Sequence, residues 1–184
     1  MQKNAEQLVA EYRRLPASSD ALGDCSENDA KTELISSMDD FANADSVGRL
    51  LHDIICDTKE FDLARIEAMD VTWVYVDGSS EWEQKLKLAI WTVFSNTEDD
   101  TMVRQHAAAK IGLGYGGQNE TSIIETILFD DDDDESVRHG AFSYMGKTED
   151  WEFVGRVLPL LKKHEYWSKN EILLSEIEAR HKDA

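Results

Sequence analysis

Basic residues are scarce in this chain of 184 residues, with 19 Lys and Arg against 38 Asp and Glu, for a net charge of −19. That shortage argues against nucleic acid, whose phosphates must be met by cations, and against anionic membrane surfaces. Long apolar runs are missing too. No stretch approaches the roughly 18 apolar residues of a membrane span, and Met1–Glu6 carry no apolar core of a signal peptide. Cysteine is limited to Cys25 and Cys56. Two cysteines without a secretion signal read as free thiols in a reducing compartment, so the expected location is the cytoplasm; whether the two pair stays open. Proline occurs only twice, which leaves helices largely unbroken.

What is present points to a folded, acidic protein. Hydrophobic residues make up 41% and there are five Trp, more than a disordered chain carries. The length suits a single domain, 1–184, with a sizeable core. The charge is uneven. Residues 1–92 hold nineteen acids against nine bases, and 93–150 hold thirteen against four. Residues 151–184 are balanced, six against six. Such a field steers a basic partner or simply keeps the chain in solution.

Helical periodicity dominates. Val47, Leu50, Leu51, Ile54 and Ile55 recur at the spacing of one helix face, as do Leu86, Ile90, Val93 and Phe94. Ten helices are expected, near 3–14, 27–41, 45–56, 60–72, 80–95, 99–111, 120–129, 134–146, 150–163 and 168–181. Ser80/Glu83, Ser122/Glu125 and Ser168/Glu171 fit capping boxes at helix starts. Pro159 is expected to kink its helix. Val71–Gly78 is β-branched and aromatic and ends in a turn signal. It reads as a short strand or as a helix end with a buried connection.

Two stretches match at an offset of 34 residues. Asp99, Asp100, Val103, Arg104, Ala107 and Gly112 recur as Asp133, Asp134, Val137, Arg138, Ala141 and Gly146. The clearest copies span 98–129 and 132–163, and a weaker one lies at Ala64, Arg65 and Ala68. A repeat on this scale predicts an all-α chain, a short α-solenoid of stacked antiparallel helix pairs. The small alanines would let helices approach closely. The aspartates would face the positive helix ends, and Arg104 and Arg138 could pair with the acidic turns.

The Asp-Asp-x-x-Val-Arg-x-x-Ala pattern resembles HEAT-like repeats. The same period would suit tetratricopeptide repeats, but their spacing of Trp, Gly, Tyr and Pro is missing. In size, charge and repeat architecture the chain is similar to the small acidic immunity proteins of bacterial toxin systems. That resemblance implies stoichiometric binding of a basic protein, a cognate toxin domain such as a nuclease, with no nucleic acid or membrane involved. Adaptor or scaffold proteins, and accessory proteins such as chromophore lyases, are the alternative readings of the same repeats.

No catalytic motif, metal set or cofactor motif emerges, so the expected function is binding rather than catalysis. Gly112–Gly117 follows a helix, and no Lys-Ser/Thr succeeds it, so it reads as a helix cap rather than a phosphate loop. The candidate partner-binding residues form three groups. The first is the acidic run Asp130, Asp131, Asp132, Asp133 and Glu135, with Asp134 in the same run. Capping accounts for Asp133 and Asp134 and leaves the other four to a basic partner, a metal or solvent. Calcium loops space their ligands around a Gly, which this run does not do. The second group is Glu149, Asp150 and Trp151, and the third is Glu81 and Trp82. Each pairs an aromatic with acids at a helix start, which suits either a basic, partly apolar partner or a Trp folded onto the core.

Overall fold

A computed structural model describes residues 3–16, 25–41, 44–72, 81–113 and 121–183. Every regular element among them is helical: α1 (Ala5–Tyr12), α2 (Cys25–Ser36), α3 (Asp45–Cys56), α4 (Asp62–Val71), α5 (Glu81–Ser95), α6 (Thr101–Gly112), α7 (Thr121–Phe129), α8 (Glu135–Met145), α9 (Trp151–Leu161) and α10 (Glu171–Asp183). Short 3-10 turns lie at Asp39–Phe41 and Trp167–Lys169. Each expected helix has its counterpart. Helix α4 ends at Val71, and residues 73–78 of the ambiguous segment lie outside the described residues, as do 114–120 of the glycine-rich connection. No described helix is long and apolar enough to cross a membrane.

Two of the three expected serine caps do not stand at a helix start. Ser122 falls inside α7 and Ser168 inside the 3-10 turn before α10, while Ser80 lies outside the described residues. A capping oxygen must sit just before the first helical residue to reach its orphan N–H groups. Asn4 meets that condition at α1 in a reciprocal box with Gln7. Asp100 accepts from the N–H groups of Met102 and Val103 at 2.8 and 3.1 Å. Asp134 accepts from Ser136 and Val137 at 2.9 and 3.2 Å, and Asp150 from Phe153 at 2.9 Å. Helix α9 continues through Pro159 to Leu161.

The chain packs as two compact units, Met1–Ala107 and Ala108–Ala184. In the first, α1 packs on α2 and α3, α2 on α4, and α3 on α4 and α5. The predicted stripe of α3 is its buried face, with Val47, Leu51 and Ile55 fully enclosed alongside Ile35, Met69, Leu86 and Phe94. Each such side chain contributes about 1.5–3 kcal/mol on leaving water. Gly48 lies where any Cβ would enter the Trp82 ring.

In the second unit α7 packs on α8 and α9 on α10. Ile124, Leu128, Val137, Ala141, Val154, Val157 and Leu161 form its core. Gly140 lies so close to Ala108 that a Cβ there would stand 2.6 Å from both its Cβ and its carbonyl oxygen. Ala107 and Ala141 are fully buried, as the repeat implied.

Candidate protein-binding surface

The repeat arginine does the same thing three times. Arg65, Arg104 and Arg138 stand in the first turns of α4, α6 and α8, all buried. Each guanidinium donates to the carbonyl ten residues upstream, in the last turn of the preceding helix: Ile55 at 3.1 and 3.2 Å, Phe94 at 3.2 and 3.4 Å, Leu128 at 3.4 Å. Those C-terminal carbonyls have no intrahelical donor, so the arginine fills a need inherent in any helix end. The weak third copy at Ala64, Arg65 and Ala68 is therefore a geometric repeat.

In the first unit the arginine also grips an acidic turn. Arg65 Nη1 and Nη2 meet both oxygens of Asp99 at 2.6 and 2.7 Å, with the two side chains 1% and 3% exposed. Burial works to raise the Asp99 carboxyl. The Arg65 hydrogen bonds, the Asp100 amide and the charges of Arg65 and Arg104 outweigh it and hold Asp99 below the usual range. Lys31 stands 34 residues before Arg65 and grips Glu60 at 2.5 Å in the same way. Glu60 precedes Arg65 by five residues, as Asp99 precedes Arg104. Tyr12 donates to the other Glu60 oxygen at 2.9 Å.

The outer residues of these turns point elsewhere. Asp62 is pushed above the usual carboxylate range by burial and then by the charge of Asp100, with a smaller push from Asp99. Acids from two successive turns thus crowd one another. Leu63 and Met102, each two residues before a repeat arginine, are both 45% exposed among them. The first unit therefore carries an edge with both negative charge and apolar surface.

The second unit presents the acidic run. Asp134 caps α8, and Asp133 accepts from the Asp134 N–H at 2.8 Å, as Asp99 does from Asp100 at 2.8 Å. Asp130 accepts from the Asp132 N–H at 3.1 Å, closing the turn. Asp131 meets Arg138 at 2.7 Å although it is 67% exposed. His164 Nδ1 accepts from the Tyr166 N–H at 3.3 Å, so its Nε2 carries the proton and faces Asp131 at 3.5 Å. Glu135 accepts from the Tyr166 hydroxyl at 2.5 Å, and that hydroxyl accepts from His139 Nε2 at 2.7 Å. Burial and then the Glu135 bond raise Tyr166 to about 12. Trp167, fully buried, donates to the Leu128 carbonyl at 2.7 Å and stacks on Phe142. Its ring and that of Tyr166 flank the Arg138 guanidinium at 5.5 and 4.8 Å.

The remaining candidates lie apart from this turn. Glu149, Asp150 and Trp151 follow the C-terminal end of α8, about 16 Å along the helix from the run at its start. Asp150 is the cap of α9. The half-buried Trp151 ring lies 6.1 Å from that of His181 and 5.7 Å from the Arg180 guanidinium. In the first unit Glu81 pairs with Lys85 at 2.9 Å. Trp82 takes the core reading: it is 9% exposed and donates to Asp45 at 2.5 Å. Tyr166, His139 and His164 were missed because they reach the run from 27 or more residues away or from the next turn of α8. Leu63 and Met102 could have been found, since both occupy one position of the repeat.

Among the described residues no group of three His, Cys, Asp or Glu is placed to hold a metal ion. Cys56 is an exposed free thiol, 3.9 Å from His52. Partial burial and the charge of Asp53 push it above the usual thiol range, against the charge of Arg65. The Cys25 side chain lies outside the described residues. Comparison with protein families, curated proteins and solved structures finds no match to this chain.

Proposed function

We propose that this chain is a HEAT-like repeat protein, a short α-solenoid, that binds a basic protein through its acidic turns. The observation that carries the reading is the division of labour within each turn. One carboxylate meets a buried cation, while its neighbours are exposed or half-buried: Glu98 and Asp62 in the first unit, Asp132 and Asp130 in the second. The gripped acid fixes the turn, so the outward acids are held in place before any partner arrives. Preorganised charge raises association rate and selects partners of opposite sign. Leu63 and Met102 add apolar contact to the edge of the first unit.

The most specific form of this reading is an immunity protein whose acidic surface occludes the cationic cleft of a cognate toxin, for example a nuclease, in the cytoplasm. It rests on size, charge and repeat pattern. The test is co-purification with the products of neighbouring genes at low and high salt. A one-to-one complex that forms more slowly in salt, and silences a toxic activity, is expected. Binding without inhibition leaves the general adaptor reading. No complex with any basic protein contradicts both.

A further inference from the structure

Two histidines stand among the acids of the run in the second unit. One Asp131 oxygen, Oδ1, meets Arg138 at 2.7 Å, and the other, Oδ2, faces His164 Nε2 at 3.5 Å. His139 Nε2 lies 3.8 Å from Glu135 and 2.7 Å from the Tyr166 hydroxyl, which itself donates to Glu135. Aromatic neighbours fix both rings: Phe129 lies 5.6 Å from that of His164, and Trp167 lies 5.2 Å from that of His139. The two side chains are 18% and 42% exposed, so protons from solvent reach both. The hydrogen bonds decide where a second proton goes, because Nε2 already carries the first. His164 Nδ1 accepts from the Tyr166 N–H at 3.3 Å. A proton added there ends that bond and sets a full positive charge against Asp131. His139 also takes its second proton at Nδ1, and its bond to the Tyr166 hydroxyl survives.

We propose that these two histidines make the acidic run a pH-gated docking surface, open to a basic partner when they are neutral and closed when they are charged. The inference rests on the docking role proposed above and adds its regulation. The titratable and charged groups around the rings are Asp131 from the turn after α7, Glu135 and Arg138 from α8, and Tyr166 from the segment before α10. Among side chains of these types, histidine is the one that changes charge between about pH 5 and 8. From Asp130 to Arg138 six carboxylates stand against one arginine, and two imidazolium ions raise the cations to three. Protons and partner then compete for the same carboxylates, and by reciprocity each weakens the binding of the other.

The probe is a short lysine homopeptide, titrated into the full chain at about 0.01 M ionic strength. Binding is read from the amide NMR signals of residues 130–135, so that other acidic surfaces do not count. Affinity at those amides is expected to fall about fivefold or more from about pH 8 to about pH 5. In the His139→Gln/His164→Gln variant, whose side chains keep an N–H donor, most of that fall disappears. The unmutated chain gives a second reading should the variant fail to fold. At about pH 6, added peptide is expected to move the ring signals of His139 and His164 toward their neutral positions. An affinity that holds across the range, a fall equally large in the variant, or ring signals that ignore the peptide would overturn the gate and leave the docking surface in place. Peptide that moves none of those amides at about pH 8 overturns the docking role itself, and the gate with it.

Discussion

The turn at Asn96–Asp100 and the turn at Asp130–Asp134 carry the same repeat, and in each an acid meets an arginine in a different setting. In the first, Asp99 is gripped by Arg65, from the preceding copy of the motif, in a buried bidentate pair. In the second, the exposed Asp131 meets the buried Arg138 of its own copy. Tyr166 and Trp167 flank that guanidinium, and Trp167 shares the Leu128 carbonyl with it. Arg138 also keeps a buried Nε without a partner, where Arg65 Nε has the Ile55 carbonyl. The motif thus specifies the arginine and its carbonyl, while the aromatic pair around Arg138 comes from residues further along the chain.

Removing the acids separates the two turns most strongly. Asp99→Ala leaves the Arg65 charge buried and unpaired and is expected to cost about 3–5 kcal/mol in chemical denaturation. Asp131→Ala exposes its partner to water and is expected to cost about 1 kcal/mol or less. Equal losses would erase the distinction. Next in size is Gly140→Ala, expected to cost about 1–3 kcal/mol, because the added methyl meets Ala108 backbone as well as side chain. A melting midpoint equal to wild type would show that α8 can withdraw without penalty.

Acid sharpens the contrast further. Asp99 is held below the unfolded carboxylate value of about 3.9, so its contribution is complete above that pH. It is lost as pH falls through the lower folded value. Below about pH 4 the wild type should therefore lose stability more steeply than Asp99→Asn; parallel curves would remove Asp99 from the acid response. The smallest effect belongs to Asp62, whose carboxyl is raised by burial and by Asp100. Asp62→Asn relieves that crowding and should stabilise the chain, by up to about 0.5 kcal/mol; a loss would mean that the Asp62 charge is needed.

Much of the fold was legible in the sequence, because helix faces announce themselves locally. The stripe from Val47 to Ile55 and the pair Asp100 and Asp134 needed only spacing and capping chemistry. Two of the expected serine caps failed because Ser122 and Ser168 lie off the helix boundary by one residue or more, where an oxygen cannot reach the free N–H groups. The surroundings of the candidate surface were less legible. Nothing local marks Lys31 as the partner of Glu60, or Tyr166 as the partner of Glu135. These contacts arise from packing between elements about 30 residues apart. Trp82 was undecided for the same reason, since only the proximity of Gly48 and Asp45 draws it inward.

The measurement closest to the central claim is the association rate of the co-purified basic partner with wild type and with the Asp130→Asn/Asp132→Asn double variant. It is made at ionic strengths of about 0.01 and 0.1 M, where the screening length falls from about 30 to about 10 Å. Neither side chain holds a buried cation, so the melting midpoint should stay near that of wild type. Preorganised outward acids predict slower association in the variant, with the difference shrinking as salt rises. Equal rates at low salt would contradict the claim that this turn is a docking surface.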